Sequence, residues 1–150
     1  MGLLPGFLSK LFSRPPDPAT LPGIAVDELA RRLDAGEKFA VVDVRTMDEF
    51  NGPSGHIRHA VNIELATLKA RTDELMHLRR RTLAVACLSE QRSAQAVQIL
   101  LKAGFKRVVL VRGGMRAWVA SGLPVDVVQR GAANVQTPAM PASPRVQQSG

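Results

Sequence analysis

Arg81-Thr-Leu-Ala-Val-Ala-Cys87-Leu-Ser-Glu-Gln-Arg92-Ser-Ala-Gln-Ala-Val-Gln-Ile-Leu-Leu-Lys-Ala103-Gly104 joins three patterns without a spare residue between them. Arg81–Cys87 is a short apolar run with charge before it, the pattern of a strand covered on both faces. From Arg92 to Ala103, the residues Ala96, Val97, Leu100 and Leu101 share one helical face, and Gly104 stands ready to stop the helix. Leu88-Ser-Glu-Gln91 is therefore a tight loop leading from the carboxyl end of a strand into a helix. Open α/β sheets hold their ligands at such places.

The same alternation extends in both directions. Val26, Leu29, Ala30 and Leu33 mark a helical stripe, with Asp27 as the expected cap and Gly36 as the stop. Phe39–Val44 reads as a buried strand and Lys106–Val111 as another. Gly113-Gly114 then turns the chain into a short helix carrying Trp118, closed by Gly122-Leu-Pro124. Strands alternating with helices predict βαβ units and a mostly parallel sheet, an α/β fold. The ends differ in kind. The first 23 residues hold five prolines, and the last twenty mix Ala, Gln, Ser and Pro without periodicity. The expected division is a flexible arm over 1–21, one domain over 22–127 and a disordered tail over 128–150. The apolar GLLPGFLSKLF near the start is broken by Pro5 and reads as part of the loose arm rather than as a membrane or partner contact.

With 150 residues and 16.2 kDa there is room for one domain. Apolar residues make up 45% and charged residues 22%, a globular mix, and no apolar run reaches the roughly 18 residues of a membrane span. Stable membrane insertion is not expected. Twenty Lys and Arg against 13 Asp and Glu leave a formal +7. A nucleic-acid partner is not expected either, because five Phe, one Trp and no Tyr offer few stacking platforms and no zinc-finger spacing appears. A positive surface suits a small sulfur or phosphate oxyanion equally well. With Cys87 as the one cysteine, no internal disulfide can form, and the cytoplasm is the expected compartment. His59 and His77 lack metal-ligand spacing to each other or to Cys87, and neither a metal nor another cofactor is expected.

A helix N-terminus presents unpaired N–H groups and a partial positive charge, and a loop curling over it can aim several amides at one centre. Sulfur bearing a negative charge is stabilised in that field. Cys87, expected at an exposed, electropositive strand end, is thus the candidate catalytic nucleophile. Leu88, Ser89, Glu90, Gln91, Arg92 and Ser93 make the candidate substrate-binding loop, with the Arg92 donors expected to face an oxyanion or the loop's own carbonyls. The competing reading has Cys87 as a small apolar residue finishing a buried strand. Asp43 and Arg45 lie two apart at a strand end and point to the same side, so an ion-pair network with Glu49 or Arg92 would brace the site. His56 is expected to tie down its own turn, and Trp118 to be a core or lid contact. Arg79-Arg-Arg81, with Lys69, Arg71 and Lys102, reads as a solvated charge run.

Over about residues 22 to 125 the sequence resembles the rhodanese-like sulfurtransferase family, in three ordered blocks. The first is Asp43-Val-Arg45 followed by Glu49-Phe50, Gly55-His56-Ile57, Ala60 and Asn62-Ile63. The second is the loop Cys87 to Arg92, with Ser93 beginning the helix. The third is Gly104-Phe105, Gly113-Gly114, Trp118 and Gly122-Leu123-Pro124. The resemblance implies a central, mostly parallel five-stranded sheet flanked by helices on both faces. It also implies that the cysteine carries sulfur as a persulfide, taken from a small sulfur-containing anion such as thiosulfate or from a persulfide donor. The acceptor would be a thiol or a protein.

Two departures from the family's pattern carry expectations. The family's loop commonly has a basic residue after the cysteine and glycine at the fourth position, where this chain has Leu88 and Glu90. A carboxylate facing the site repels a dianion. Unless Glu90 points outward, thiosulfate is expected to react poorly and Glu90→Gly to improve it. In the first block, Asn51-Gly-Pro-Ser54 separates Phe50 from Gly55 where two residues are usual, and Arg58-His59 replaces a common Pro-Gly, which affects the local turn and not the sheet. The fold also resembles that of dual-specificity phosphatases with a Cys-loop-Arg site. Those enclose five residues, whereas Cys87 and Arg92 enclose four, a ring better sized for sulfur than for tetrahedral phosphate. A non-catalytic binding module is the third reading, favoured by Glu90 and disfavoured by the intact cysteine.

Overall fold

The computed structural model describes residues 14–128. Five strands form one sheet: β1 (Gly23–Ile24), β2 (Phe39–Asp43), β3 (Val61–Asn62), β4 (Thr82–Ala86) and β5 (Val108–Val111). Their spatial order is β1-β5-β4-β2-β3 and every neighbouring pair is parallel. The connections are α1 (Val26–Asp34), α2 (Met47–Phe50), α3 (Leu65–Arg71) with a following 3-10 segment Thr72–Leu78, α4 (Gln91–Lys102) and α5 (Gly114–Ala120). The α/β architecture with a parallel five-stranded sheet is the one expected.

A parallel sheet must be covered on both faces, and the alternation of side chains along each strand does this. Leu83 and Val85 of β4, Val42 of β2 and Leu110 of β5 enter one core with Leu68 of α3, Leu75, and Val97 and Leu100 of α4. Ala84 and Ala86 of β4, Val41 and Val111 enter the other core with Leu29 of α1 and with Met115 and Trp118 of α5. Small alanines on one face of β4 let α1 and α5 approach closely. Bulky residues on its other face fill the space under α4. Leu83, Leu100 and Leu110 have no exposed surface, so truncating any of them to Ala would cost about 2–5 kcal/mol.

Local chemistry differs from expectation in a few places. The N-cap of α1 is Ala25, not Asp27; Asp27 sits inside the first turn, where its charge complements the helix dipole. Helix α4 starts at Gln91, one residue early, with Glu90 in the cap position. His59 takes the left-handed conformation (φ 63°) that glycine would supply in the commoner Pro-Gly version of this turn. Within the span read as an arm, Pro18–Thr20 forms a 3-10 turn whose start is capped by the Asp17 carboxylate, accepting the Ala19 amide at 2.9 Å. The GLLPGFLSKLF stretch and the C-terminal segment from residue 129 lie outside the described residues. No helix among the described residues is long and apolar enough to cross a membrane.

The strand order places the site. After β2 the chain moves outward to β3, whereas after β4 it moves in the opposite sense to β5. A crevice therefore opens at the carboxyl ends of β2 and β4, and the loops following both strands meet there.

Candidate active site

Cys87 is the first residue after β4 and is only 1% exposed, so the exposed position expected for it is not observed. The cause is the loop's docking: the Cys87 carbonyl accepts the Met115 amide (2.8 Å), and the Leu88 carbonyl accepts the Arg116 amide (3.0 Å), which draws the loop down onto the start of α5. The thiol is nevertheless in polar company. Its Sγ accepts the Ser93 amide at 3.3 Å and lies 3.2 Å from Ser93 Oγ. Ser93 is the third residue of α4, and Glu90 makes no side-chain cap, so sulfur occupies the role an N-cap oxygen ordinarily fills. The Ser93 hydroxyl also lies 3.2 Å from the Glu90 carbonyl and can direct its single proton to either partner.

The backbone around the sulfur is oriented by Gly114, at φ +59°. A Cβ there would stand 2.3 Å from the Ser89 oxygen, 2.5 Å from that of Cys87 and 2.7 Å from that of Leu88. Three successive carbonyls thus converge on a position only glycine can occupy. Because each peptide is planar and trans, the amides of Leu88, Ser89 and Glu90 point the opposite way. Among the described residues, no backbone or side-chain acceptor takes these amides or those of Gln91 and Arg92. Such a run of unpaired N–H groups over a helix start is chemically suited to accept a small anion.

The supporting residues divide into two ion pairs. Arg45 and Asp43 are each 1% exposed and form a closed pair, with Arg45 Nη2 and Nε reaching the Asp43 carboxylate at 2.7 and 3.0 Å. Arg45 Nη2 also donates to the Gly55 carbonyl (2.9 Å), tying β2 to the turn that carries the longer Asn51–Ser54 insertion. Its contact with Glu49 is to the backbone oxygen (3.4 Å), not the carboxylate. The Glu49 carboxylate instead grips Arg92 through two parallel bonds of 2.7 and 2.8 Å. This pair crosses from the β2 loop to the β4 loop. Arg92 hydrogen bonding, with help from Thr46 in a capping box, lowers the Glu49 carboxyl from 4.5 to about 2, against burial that acts upward. Each terminal nitrogen of Arg92 gives one of its two N–H groups to Glu49, so the observed partner of the guanidinium is this carboxylate and not the loop's carbonyls.

Glu90 is held by the turn that enters α5. Its Oε2 accepts the Gly113 amide at 3.0 Å, and its Oε1 accepts from Arg112 Nη1 at 3.1 Å. The charge expected to repel a dianionic donor is therefore paired, and Glu90→Gly would remove a contact along with a charge. Arg112 is a site residue with no recognisable signal in the sequence. Its partner lies 22 positions earlier, and only the pairing of β4 with β5 brings them together.

His56 does tie down its turn. Its Nδ1 lies 2.9 Å from the Phe50 carbonyl and so carries the proton, and its ring stacks on Phe50 at 3.7 Å between centroids. Asn62 donates to the Asp43 and Arg45 carbonyls at 2.9 and 3.0 Å, joining β3 to the end of β2. Trp118 is buried and bonds the Pro124 carbonyl at 2.9 Å, a core contact. Leu88 and Gln91 are exposed at the loop's rim, and Arg79, Arg80 and Arg81 are exposed at the amino end of β4. Among the described residues, no three His, Cys, Asp or Glu side chains are grouped to hold a metal. A cavity of about 880 Å³ between Leu33, Phe39, Arg81, Trp118 and Pro124 lies at the amino ends of the strands, far from Cys87.

Comparison with known proteins bears on this geometry. The chain is 33% identical over 99 residues to a sulfurtransferase of Allochromatium vinosum, covering 66% of this chain and 89% of that protein. It is 31% identical to YrkF of Bacillus subtilis over 67% of this chain, but spans only 52% of that protein's length. Among solved structures, a rhodanese-related protein from Thermoplasma volcanium is similar with a TM-score of 0.63 and 31% identity, over 71% of this chain and 99% of the other. A thiosulfate sulfurtransferase from Pseudomonas aeruginosa gives a TM-score of 0.64 at 29% identity, over 71% of this chain and 20% of the other. Residues 25–121 match the family described as the rhodanese-like domain, and the chain belongs to that family.

Proposed function

We propose that this protein is a sulfurtransferase or persulfide carrier in which Cys87 takes up a sulfane sulfur and passes it to a thiol acceptor. The observation that carries the reading is the seat of Cys87 Sγ on the Ser93 amide, beneath a loop whose amides have no acceptor among the described residues. A persulfide would extend the negative charge by one atom into that ring. The sulfurtransferase name of the Allochromatium relative supports the same chemistry.

In the first half-reaction the Cys87 thiolate attacks the outer sulfur of the donor. The Sγ–S bond forms as the bond from that sulfur to the leaving group breaks, and the electron pair departs with sulfite from thiosulfate or with a thiolate from a persulfide. In the second half, an acceptor thiolate attacks the outer sulfur and the Sγ–S electron pair returns to Cys87, so no external oxidant or reductant is consumed. Helix α4 and the Ser93 donors stabilise the charge on Sγ at the start and end of the cycle. The buried Asp43–Arg45 pair braces the loop after β2, the Glu49–Arg92 bridge ties that loop to the one after β4, and neither need touch substrate.

The test is a donor panel of thiosulfate, glutathione persulfide and a protein persulfide, followed by intact-mass analysis. The expected result is a gain of one sulfur atom that a thiol acceptor removes and that is absent in Cys87→Ser. Absence of the adduct with all three donors would overturn the proposal in favour of a binding module.

A further inference from the structure

We propose that Glu90 and Arg112 form a positioning pair that also screens the active loop, fixing its lip to the β5–α5 turn while neutralising a carboxylate beside the anion site. The inference builds on the reading of Cys87 as the sulfur-bearing residue. It concerns a pair that the family's usual loop, with glycine at this position, would not have.

Four contacts carry it. Both Glu90 oxygens are used, Oε2 by the Gly113 amide (3.0 Å) and Oε1 by Arg112 Nη1 (3.1 Å). The guanidinium is itself held from the far side, donating to the Pro18 carbonyl at 2.8 Å and to the Leu21 carbonyl at 2.5 Å. Its bed is Gly23, where a Cβ would stand 2.2 Å from Arg112 Nε. Two separate segments therefore converge on an arginine that itself begins the turn entering α5: the active loop and the 3-10 turn before β1. A long flexible side chain so anchored is a fixed charge at a fixed place. Both members are partly exposed (28% for Glu90 and 36% for Arg112), so their charges reach the loop mouth through partly screened surroundings.

Opposite signs follow for the two members. Removing Arg112 leaves a bare carboxylate at the lip and opposes an approaching anion; removing the Glu90 charge leaves a bare guanidinium and favours it. A purely structural pair would respond to both losses in the same direction.

The charge can be read without sulfur chemistry, from the alkylation rates of Cys87 with anionic iodoacetate and neutral iodoacetamide. Relative to the wild type, the iodoacetate-to-iodoacetamide rate ratio should fall about threefold in Arg112→Gln and rise about threefold in Glu90→Gln, the effect of one unit charge across a partly aqueous gap. It should return to the starting value in the double variant, and the differences should shrink in ~1 M salt. Arg112→Lys, which keeps the charge without the planar fork, should hold the ratio near wild type while losing part of the thermal stability. Equal ratios in all variants, or a fall in both single variants, would overturn the proposal. Complete resistance of wild-type Cys87 to both reagents would do so too, because a charge at the lip can steer only reagents that reach the sulfur. Glu90→Gln retains a hydrogen-bonding side chain and supplies the decisive sign if Arg112→Gln fails to fold. A protein that shows these ratios but never gains sulfur would refute the transfer reading and spare this one.

Discussion

Gly114→Ala is the sharpest perturbation of the loop because it adds one methyl group at the point where three loop carbonyls meet. The new Cβ would lie 2.3–2.7 Å from the oxygens of Ser89, Cys87 and Leu88, whereas real Cβ atoms stay beyond 3.0 Å. Those oxygens must recede by about 0.3–0.7 Å, and no flexible side chain among them can yield instead. The peptides they belong to also carry the unpaired amides of Leu88, Ser89 and Glu90, so the proposed anion site moves with them. A shift of this size is expected to slow sulfur loading about 10- to 100-fold, since misplacement by about 1 Å can cost two orders of magnitude. The left-handed backbone adds roughly 1–2 kcal/mol of instability. Gly36→Ala is the matched control: its φ is +74°, nothing lies within 4 Å of its Cβ, and it terminates α1 far from the loop. The assay is the initial rate of persulfide formation by intact mass, alongside thermal melting. Gly36→Ala should lower the melting temperature by about 4–8 °C per kcal/mol and leave loading intact. Equal loading by the two variants would refute the claim that Gly114 sets the loop's amides.

Two further substitutions probe the groups around the sulfur and the bridge between loops. Ser93→Ala keeps the amide on Sγ but removes the hydroxyl at 3.2 Å, and should slow sulfur loading roughly tenfold, as expected for a lost hydrogen bond to a charged acceptor; stopped-flow rates at saturating donor would show it, and an unchanged rate would assign the hydroxyl to the Glu90 carbonyl alone. Glu49→Gln should cost about 1 kcal/mol near neutral pH, after allowance for screening at these partly exposed groups. With the folded carboxyl lowered to about 2, the bridge contributes fully above the ordinary value of 4.5, and its contribution is lost as pH falls through about 2. Urea titrations of wild type and variant should therefore differ most above pH 4.5 and converge at the acid end. A gap that widened with acid would contradict the assignment.

The fold and the candidate nucleophile were legible in the linear chain because they rest on local regularities. Apolar runs at the right length, a helical stripe ending at Gly104 and four residues between Cys87 and Arg92 suffice to place a cysteine at a strand-to-helix turn. The resemblance to the family added the strand number. Partner choice was less legible. Arg92 could have faced substrate or the loop, and Glu49 could have paired with Arg45; the observed pairs are Arg92 with Glu49 and Arg45 with Asp43. Asp43 and Arg45 sit at the end of β2, and Glu49 and Arg92 in the helices that follow β2 and β4, and packing selected between arrangements that sequence spacing leaves equivalent.

Two quantities escaped the one-dimensional pattern altogether. Cys87 is buried rather than exposed, because α5 receives the carbonyls of Cys87 and Leu88 from across the sheet. Glu90 is neutralised rather than opposed to substrate, because β5 delivers Arg112 beside it and the N-terminal turn holds that arginine in place. Periodicity and turn chemistry act over a few residues and so are written along the chain, whereas accessibility and the pairing of a charge depend on which distant segments the sheet order makes neighbours. The position of residue 87 at a strand-to-helix turn was readable from its surroundings in sequence, and its electrostatic setting was decided only when β4, β5 and the turn before β1 came together.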